Sequence, residues 1–325
     1  MSALVVINAG HHVTTQDLGR PNASHYGLTQ GGAADWHAHC WGQKLLGNPM
    51  TATSLEIVLG RVRFRANQEL AMVLTGADCL AEIYSPQNIV TEHVQSWRPF
   101  SLKRNQELHL KVPRSGCRSY LSVSGGFAIE PFLGSTSTVE RDGVGGLNPG
   151  QPLACGDSLA VNPNLSGDLS DLWLQNPQPI PRSAIPNYAG VRTLHLLPCF
   201  QFQQFDTALR EVLLNQIYTV SAQSNRMGIR LKSNDSETAL LTQALPSLIS
   251  EGILSGSVQI PPDGNPIIML SDHQTLGGYQ KLGVVAFRDL AKAAQLRPGE
   301  QLRFKLSTLP LERLKQQAFY RYFDL

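Results

Sequence analysis

The sequence predicts a mainly β protein of two domains with a few short helices. Three observations carry this prediction: strands that alternate with a period of two, short apolar runs closed off by Gly, Asn, Asp and Pro, and one proline-dense break near the middle of the chain. At 325 residues and 42% hydrophobic, the chain can bury a sizeable core, and its length suits about two domains. The 28 Gly and 20 Pro mark a turn-rich chain.

The strands follow in order. Residues 61–66 alternate strictly, with Arg61, Arg63 and Arg65 on one face and Val62, Phe64 and Ala66 on the other. Residues 107–112 and 302–306 repeat the pattern. Residues 70–74, 120–123 and 267–270 are more continuously apolar, as strands buried on both faces are. Turns such as Gly76-Ala77-Asp78 and Pro262-Asp263-Gly264-Asn265-Pro266 separate them. Many short strands with close turns predict a barrel or sandwich and not a βαβ nucleotide-binding sheet. Helices are expected at 35–46, stopped by Gly47, and at 287–296. After Pro310, Leu311, Leu314, Ala318 and Tyr322 form one helical stripe, expected to pack on its own domain. Dense proline between Val161 and Val191 cannot sit in central strands and reads as an interdomain connection.

Composition excludes several classes. The 27 Lys and Arg nearly balance 25 Asp and Glu, the net charge is +2, and no basic run offers a nucleic-acid footprint. Charged residues are only 16% of the chain, below the roughly 25% of an ordinary domain. This suits a surface partly hidden against a partner. No run of about 18 apolar residues is available to span a bilayer. The opening residues lack the basic and apolar regions of a signal peptide. Five cysteines, odd in number and without a C-x-x-C pair, read as reduced thiols in a cytoplasmic protein.

Ordinary P-loop, G-x-G-x-x-G, G-x-S-x-G and H-E-x-x-H motifs are absent, and no Met-Lys-Met offers a biotin-accepting lysine. His37 and His39 lie about 200° apart on their helix, so one metal ion is not held by both, and no metal site is expected. Three clusters can carry chemistry. Asp17 and Arg20, in Gln16-Asp17-Leu18-Gly19-Arg20, form either a turn with an arginine beside it or a pair that orients a small anion. Arg226 and Arg230, four apart beside Gly228, form either a solvated loop or a fork for a carboxylate or phosphate. Ser271-Asp272-His273-Gln274-Thr275-Leu276-Gly277-Gly278-Tyr279-Gln280-Lys281 crowds polar side chains around a double glycine after an apolar strand. Asp272, His273 and Lys281 are suited to proton transfer there.

Taken together these stretches resemble the carboxyltransferase-like family that includes the C subunit of bacterial 5-oxoprolinase, the antagonist of the sporulation-kinase inhibitor, and the carboxyltransferase portion of urea amidolyase. The resemblance runs from Gln16 to about Phe304. It is carried by Gln16-Asp17-Leu18-Gly19-Arg20, Gly31-Gly32-Ala33-Ala34-Asp35, Leu133-Gly134-Ser135-Thr136-Ser137-Thr138, and Arg226-Met227-Gly228-Ile229-Arg230-Leu231. The clearest match is Gln259-Ile260-Pro261-Pro262-Asp263-Gly264, followed by Asp272 to Tyr279. The sequence departs from the family pattern at Pro21-Asn22, at Pro198-Cys199-Phe200, at Gly150-Gln151-Pro152-Leu153 and at Lys232-Ser233.

The resemblance implies two cyclophilin-like β-barrel domains, at 1–165 and 190–325, joined by a connection at 166–189. It implies one component of an ATP-hydrolysing 5-oxoprolinase, a lactam hydrolase in which this chain acts with subunits A and B to open 5-oxoproline to L-glutamate. The B subunit is the most direct partner, and ATP, with magnesium, is used by the complex. The alternatives are a carboxyltransferase taking carboxybiotin from a separate domain to urea or a similar small amide, and a regulator that binds an inhibitor resembling the B subunit. Under the first reading Asp17, Asp272 and Lys281 are the expected catalytic residues. Arg20, Arg226, Arg230, Gln259, Gln274, Thr275, Gly277, Gly278 and Tyr279 are the expected substrate contacts.

Overall fold

The computed structural model describes residues 2–162, 180–233 and 248–325. Of the proline-rich connection expected at 166–189, residues 166–179 lie outside these. The chain forms two compact units: Met1–Pro21 with Gly31–Asn187, and Asn22–Gln30 with Tyr188–Leu325. The short segment Asn22–Gln30, which sequence order alone assigns to the N-terminal half, groups with the second unit.

The first unit holds two antiparallel sheets around one core. Six strands make the first sheet: β1 (Leu4–Asn8), β4 (Val62–Ala66), β6 (Ala81–Tyr84), β7 (Val90–Val94), β9 (Glu107–Leu110) and β11 (Ser158–Leu159), in the order β11-β1-β4-β9-β6-β7. The second runs β2-β3-β10-β5-β8, from β2 (His12–Gln16), β3 (Ser54–Val58), β5 (Leu70–Asp78), β8 (Pro99–Leu102) and β10 (Ser115–Val123). The alternation read from residues 61–66 is realised in β4: Val62, Phe64 and Ala66 are buried, whereas Arg63 and Arg65 are exposed. Hydrogen bonds here lie in two separate sheets and do not run as one continuous ring. Leu55, Ile57, Met72, Leu74 and Leu121 fill the core between them. Helix α1 (Trp36–Leu45) begins at Asp35, whose carboxylate accepts from Ala38 N at 2.9 Å. It lies close on the second sheet because Gly42 has no side chain to strike Ser122.

The second unit is a closed barrel in the order β12-β19-β16-β17-β14-β13-β20. Its strands are β12 (Arg192–Pro198), β13 (Tyr218–Val220), β14 (Gly228–Lys232), β16 (Ser257–Ile260), β17 (Ile267–Met269), β19 (Gln280–Val285) and β20 (Gln301–Leu306). β12 and β20 pair in parallel, and every other pair in the ring is antiparallel. A two-stranded ribbon, β15 (Glu251–Gly252) with β18 (Leu276–Gly277), stands beside it. Leu194, Leu196, Ile229, Leu231, Val258, Ile268, Leu282 and Phe304 line the interior. Helices α2 (Thr207–Asn215), α3 (Phe287–Ala294) and α4 (Leu309–Phe323) complete the unit, so the described residues hold four α-helices in a mainly β fold.

The tail departs from expectation. Helix α4 packs on α3 through Phe319 and Tyr320, whose rings lie 5.4 and 5.5 Å from Phe287. It also packs through a buried carboxylate, Glu312. The stripe expected to face the domain, with Leu311, Leu314, Ala318 and Tyr322, is exposed instead. Aromatic and ionic contacts outweigh the aliphatic stripe in setting the helix rotation.

Burial alone would push the Glu312 carboxyl up; hydrogen bonds from Arg288, Ser307 and Lys315 outweigh it and bring the pKa from 4.5 down to about 2. The folded value lies below the unfolded one. The stabilisation is therefore complete above about pH 4.5 and is lost as the pH falls toward 2. Glu312→Gln is expected to cost about 1–3 kcal/mol in urea denaturation at pH 7. The gap from the wild type should close as the medium is acidified through that window.

Candidate functional site

Two polar assemblies contain the residues singled out by sequence, one in each unit. In the first, Asp17 follows β2 and is buried. Its Oδ1 accepts from Gly19 N at 2.7 Å, Ser135 Oγ at 2.6 Å and Ser137 Oγ at 2.5 Å. Its Oδ2 accepts from Thr136 N at 2.7 Å and Thr136 Oγ1 at 3.1 Å. Arg20 is fully buried and donates to the carbonyl oxygens of Phe132 and Ser137. Asp17 and Arg20 thus share one task, gripping the Ser135-Thr136-Ser137 segment. A carboxylate holding five donors is an anchor, and its lone pairs are spent on the fold. Glu56 is equally enclosed, accepting from Ala34 N, Tyr120 Oη and Arg118 Nε. His39 is buried against Ser54 Oγ and Met50 O at 2.9 Å each, and burial holds its pKa down; it is a satisfied core histidine.

In the second unit the register of the barrel builds a wall. Alternation turns Ile229 and Leu231 inward and leaves Gly228, Arg230 and Lys232 outward on β14. The same rule puts Gln259, Ile267 and Lys281 on the outer face of β16, β17 and β19. Arg230 pairs with Ile267, Ile267 with Gln259, and Gln259 with Lys281, so the four side chains form one row across four strands.

A cavity of about 540 Å³ opens on this wall. Arg230, Lys232, Gln259, Ile267, Met269, Gln274 and Tyr279 line it, together with Asn225 and the 261–265 turn. Pro261 O accepts from Gly264 N at 3.0 Å, Gly264 takes φ 74°, and Asp263 accepts from Asn265 N and Nδ2, which fixes the rim. Among the described residues the Arg230 guanidinium has no partner, and it projects from an exposed position. Gln259 is only 1% exposed, and neither its Oε1 nor its Nε2 meets a partner among the described residues.

The surrounding residues hold the wall in place. Arg226 grips Asp272 in a buried two-point pair, Nε to Oδ2 at 2.8 Å and Nη2 to Oδ1 at 2.9 Å, and Asp272 N donates to Arg226 O. This clamp ties the start of β14 to the end of β17. Arg226 therefore spends its fork on Asp272, and Arg230 is the arginine turned toward the cavity. Lys281 forms an ion pair with Glu251, and Gln201 bridges the two, donating to Glu251 and accepting from Lys281 N. The hydrogen bond from Lys281 draws the Glu251 pKa down against the opposing effect of burial. Thr275 and Gly278 serve through their carbonyls, which accept from Ile253 N and Leu248 N. Gly277 serves through its lack of a side chain, since a Cβ there would come within 2.7 Å of Gln259 Nε2.

Of the expected residues, Arg230, Gln259, Gln274 and Tyr279 line one cavity, Lys281 stands beside Gln259, and Arg226, Asp272, Thr275, Gly277 and Gly278 support them. Asp17 and Arg20 belong to the other unit. Sequence reading missed Lys232, which the outward alternation from Arg230 announces, and Glu251, for which no local motif exists.

The model of the carboxyltransferase domain, subdomain A and B, matches residues 26–306. The chain belongs to this family. It is 32% identical to the 5-oxoprolinase C subunit of Escherichia coli (strain K12), covering 99% of this chain and 96% of that protein. It is 31% identical to the 5-oxoprolinase C subunit of Haemophilus influenzae, covering 94% and 91%. In structure it resembles the K. lactis urea amidolyase, with a TM-score of 0.84 and 25% identity over 99% of this chain. It spans only 20% of that much longer enzyme.

The clamp makes a direct prediction. Arg226→Ala strands a buried carboxylate and should cost about 3–5 kcal/mol in chemical denaturation. Asp272→Asn should cost a similar amount, and the double variant should cost far less than the two together.

Proposed function

We propose that this chain is the C subunit of an ATP-dependent 5-oxoprolinase, acting with subunits A and B to open 5-oxoproline to L-glutamate. The observation that carries this reading is the likeness to the C subunit of 5-oxoprolinase, 32% identity over 96% of that protein. The cavity supports it. 5-Oxoproline is a five-membered lactam with one carboxylate, and Arg230 and Lys232 supply the positive charge such an anion calls for.

The residues of this chain bind and orient. Arg230 takes the carboxylate. Gln259 and Gln274 face the ring. Lys281, held by Glu251 and Gln201, stands next to Gln259 on the neighbouring strand and acts on the ring through that position. Asp17 and Asp272 act in this scheme as positioning residues, through the segments they hold. ATP, used with magnesium by the complex, supplies the activation of the carbonyl. Among the described residues no three His, Cys, Asp or Glu side chains converge on a metal ion. Arg230 and Lys232 are what the cavity offers a phosphoryl group.

The B subunit is the most direct partner in this reading. A cytoplasmic location belongs to the same proposal; among the described residues no helix is long and apolar enough to cross a membrane. The structural likeness to urea amidolyase favours a second reading, transfer of a carboxyl group to urea or a similar small amide from a separate biotin carrier.

Reconstitution separates the two. Mixing the chain with subunits A and B should give ATP-dependent glutamate release that stops when this chain is omitted. Arg230→Ala should raise KM for 5-oxoproline roughly tenfold to a hundredfold with a smaller change in kcat. Release that persists without the chain contradicts the proposal. Carboxylation of urea in the presence of a biotin carrier would support the second reading.

A further inference from the structure

We infer that Gln259 is the specificity-determining residue of the barrel cavity, and that it selects ligands whose amide N–H and C=O lie on the same edge, above all small lactams and cyclic ureas. The choice of 5-oxoproline as the test ligand rests on the proposed function; the inference about the amide edge rests on the cavity alone.

The Gln259 carboxamide is buried to 1% exposure, lines the cavity, and leaves both its donor and its acceptor unanswered among the described residues. Buried polar groups are nearly always paired, so two orphan atoms on one side chain ask for a partner that arrives from outside. The neighbours are arranged not to answer. Ile267, across one strand, is apolar. Lys281, across the other, is engaged by Glu251. Gly277 presents no side chain, and any Cβ there would crowd the amide nitrogen.

A carboxamide presents an acceptor and an N–H side by side, so its full complement is a group with an N–H and a C=O side by side. Open-chain secondary amides are trans and point these groups in opposite directions. A five- or six-membered ring forces the cis form, and both groups then share one edge. Urea and primary amides carry the same edge, which gives the family's differing substrates a common recognition element. Arg230, in the same row of side chains, adds a preference for a ring bearing a carboxylate.

Ring opening destroys this edge. Water adds to the carbonyl carbon and the C–N bond breaks. The carbon side becomes a carboxylate and the nitrogen takes up the protons as an ammonium group. The opened product carries its carboxylate and its ammonium at opposite ends of a flexible chain, so acceptor and donor no longer share the fixed edge that matches Gln259. The cavity should therefore release product more readily than substrate.

The test is binding to the full chain, measured by calorimetry and ligand-observed NMR, for 5-oxoproline, N-methyl-5-oxoproline, glutamate, N-acetylglycine and 2-imidazolidinone. The wild type should bind 5-oxoproline at least tenfold tighter than its N-methyl derivative, N-acetylglycine or glutamate. Gln259→Leu should lose that discrimination while melting at the same or a higher temperature, because it removes two unpaired buried atoms. Gln259→Met, of similar volume and without a hydrogen-bonding amide, should behave alike. Equal binding of 5-oxoproline and the N-methyl derivative by the wild type overturns the inference. So does discrimination that survives both substitutions, or the absence of binding by every ligand. If 2-imidazolidinone binds through Gln259 and 5-oxoproline does not, the amide-edge inference stands and the 5-oxoproline reading falls. If reconstituted turnover needs the chain but ignores Gln259, the proposed function stands and this inference falls.

Discussion

The register of β14, β17, β16 and β19 is the constraint on which the second unit's cavity depends. Antiparallel pairing fixes which residues stand opposite one another, and alternation fixes which of them face outward. Arg230, Ile267, Gln259 and Lys281 are aligned by those two rules alone. A slip of one residue in any of the four strands would turn its member of the row into the barrel and expose a core side chain in its place. The apolar interior, with Ile229, Val258, Ile268 and Leu282, therefore holds the cavity's chemistry in place as a consequence of holding itself together. The Arg226–Asp272 clamp guards the same register from the loop side, joining the ends of two neighbouring strands.

The buried carboxylates of the first unit and the buried carboxamide at the cavity of the second are handled in opposite ways. In the first, the Asp17 and Glu56 carboxylates are enclosed and matched with donors of the chain itself. Such a network stabilises one arrangement of loops and leaves Asp17 nothing to offer a ligand. In the second, the Gln259 carboxamide stays unmatched at a cost of about 1–3 kcal/mol for each unsatisfied group. A cost carried at the wall of a cavity, beside an arginine with no partner among the described residues, is what a binding site preorganised for its ligand looks like.

Much of this was legible in the sequence, for reasons that can be named. Strict alternation in Val62–Ala66 specified a strand and its inward face, because a period of two has one structural solution, whereas the strand at Gly228–Lys232 was masked by the arginines that read as a loop or a fork. The turn at Pro261 to Asn265 was legible through its proline, aspartate and glycine. The rotation of α4 was not. Leu311, Leu314, Ala318 and Tyr322 form the better apolar stripe on paper. Contacts of Phe287 with Phe319 and Tyr320, and of Arg288 with Glu312, decided the matter between residues 24 or more positions apart, far beyond any local pattern. The roles of Arg226 and Asp272 were hidden likewise. Each is a plausible ligand contact in isolation, and only their separation in space, 2.8 Å, shows that they answer one another.

The central claim is that ligand recognition on this chain happens at the outer wall of the barrel, through Gln259 and Arg230. A crystal structure of the full chain soaked with 5-oxoproline tests it most directly. The account predicts the ring edge-on to the Gln259 carboxamide, with its N–H on Oε1 and its oxygen on Nε2, and its carboxylate at Arg230. A ligand bound elsewhere on the chain, with Gln259 still unpaired, would contradict it.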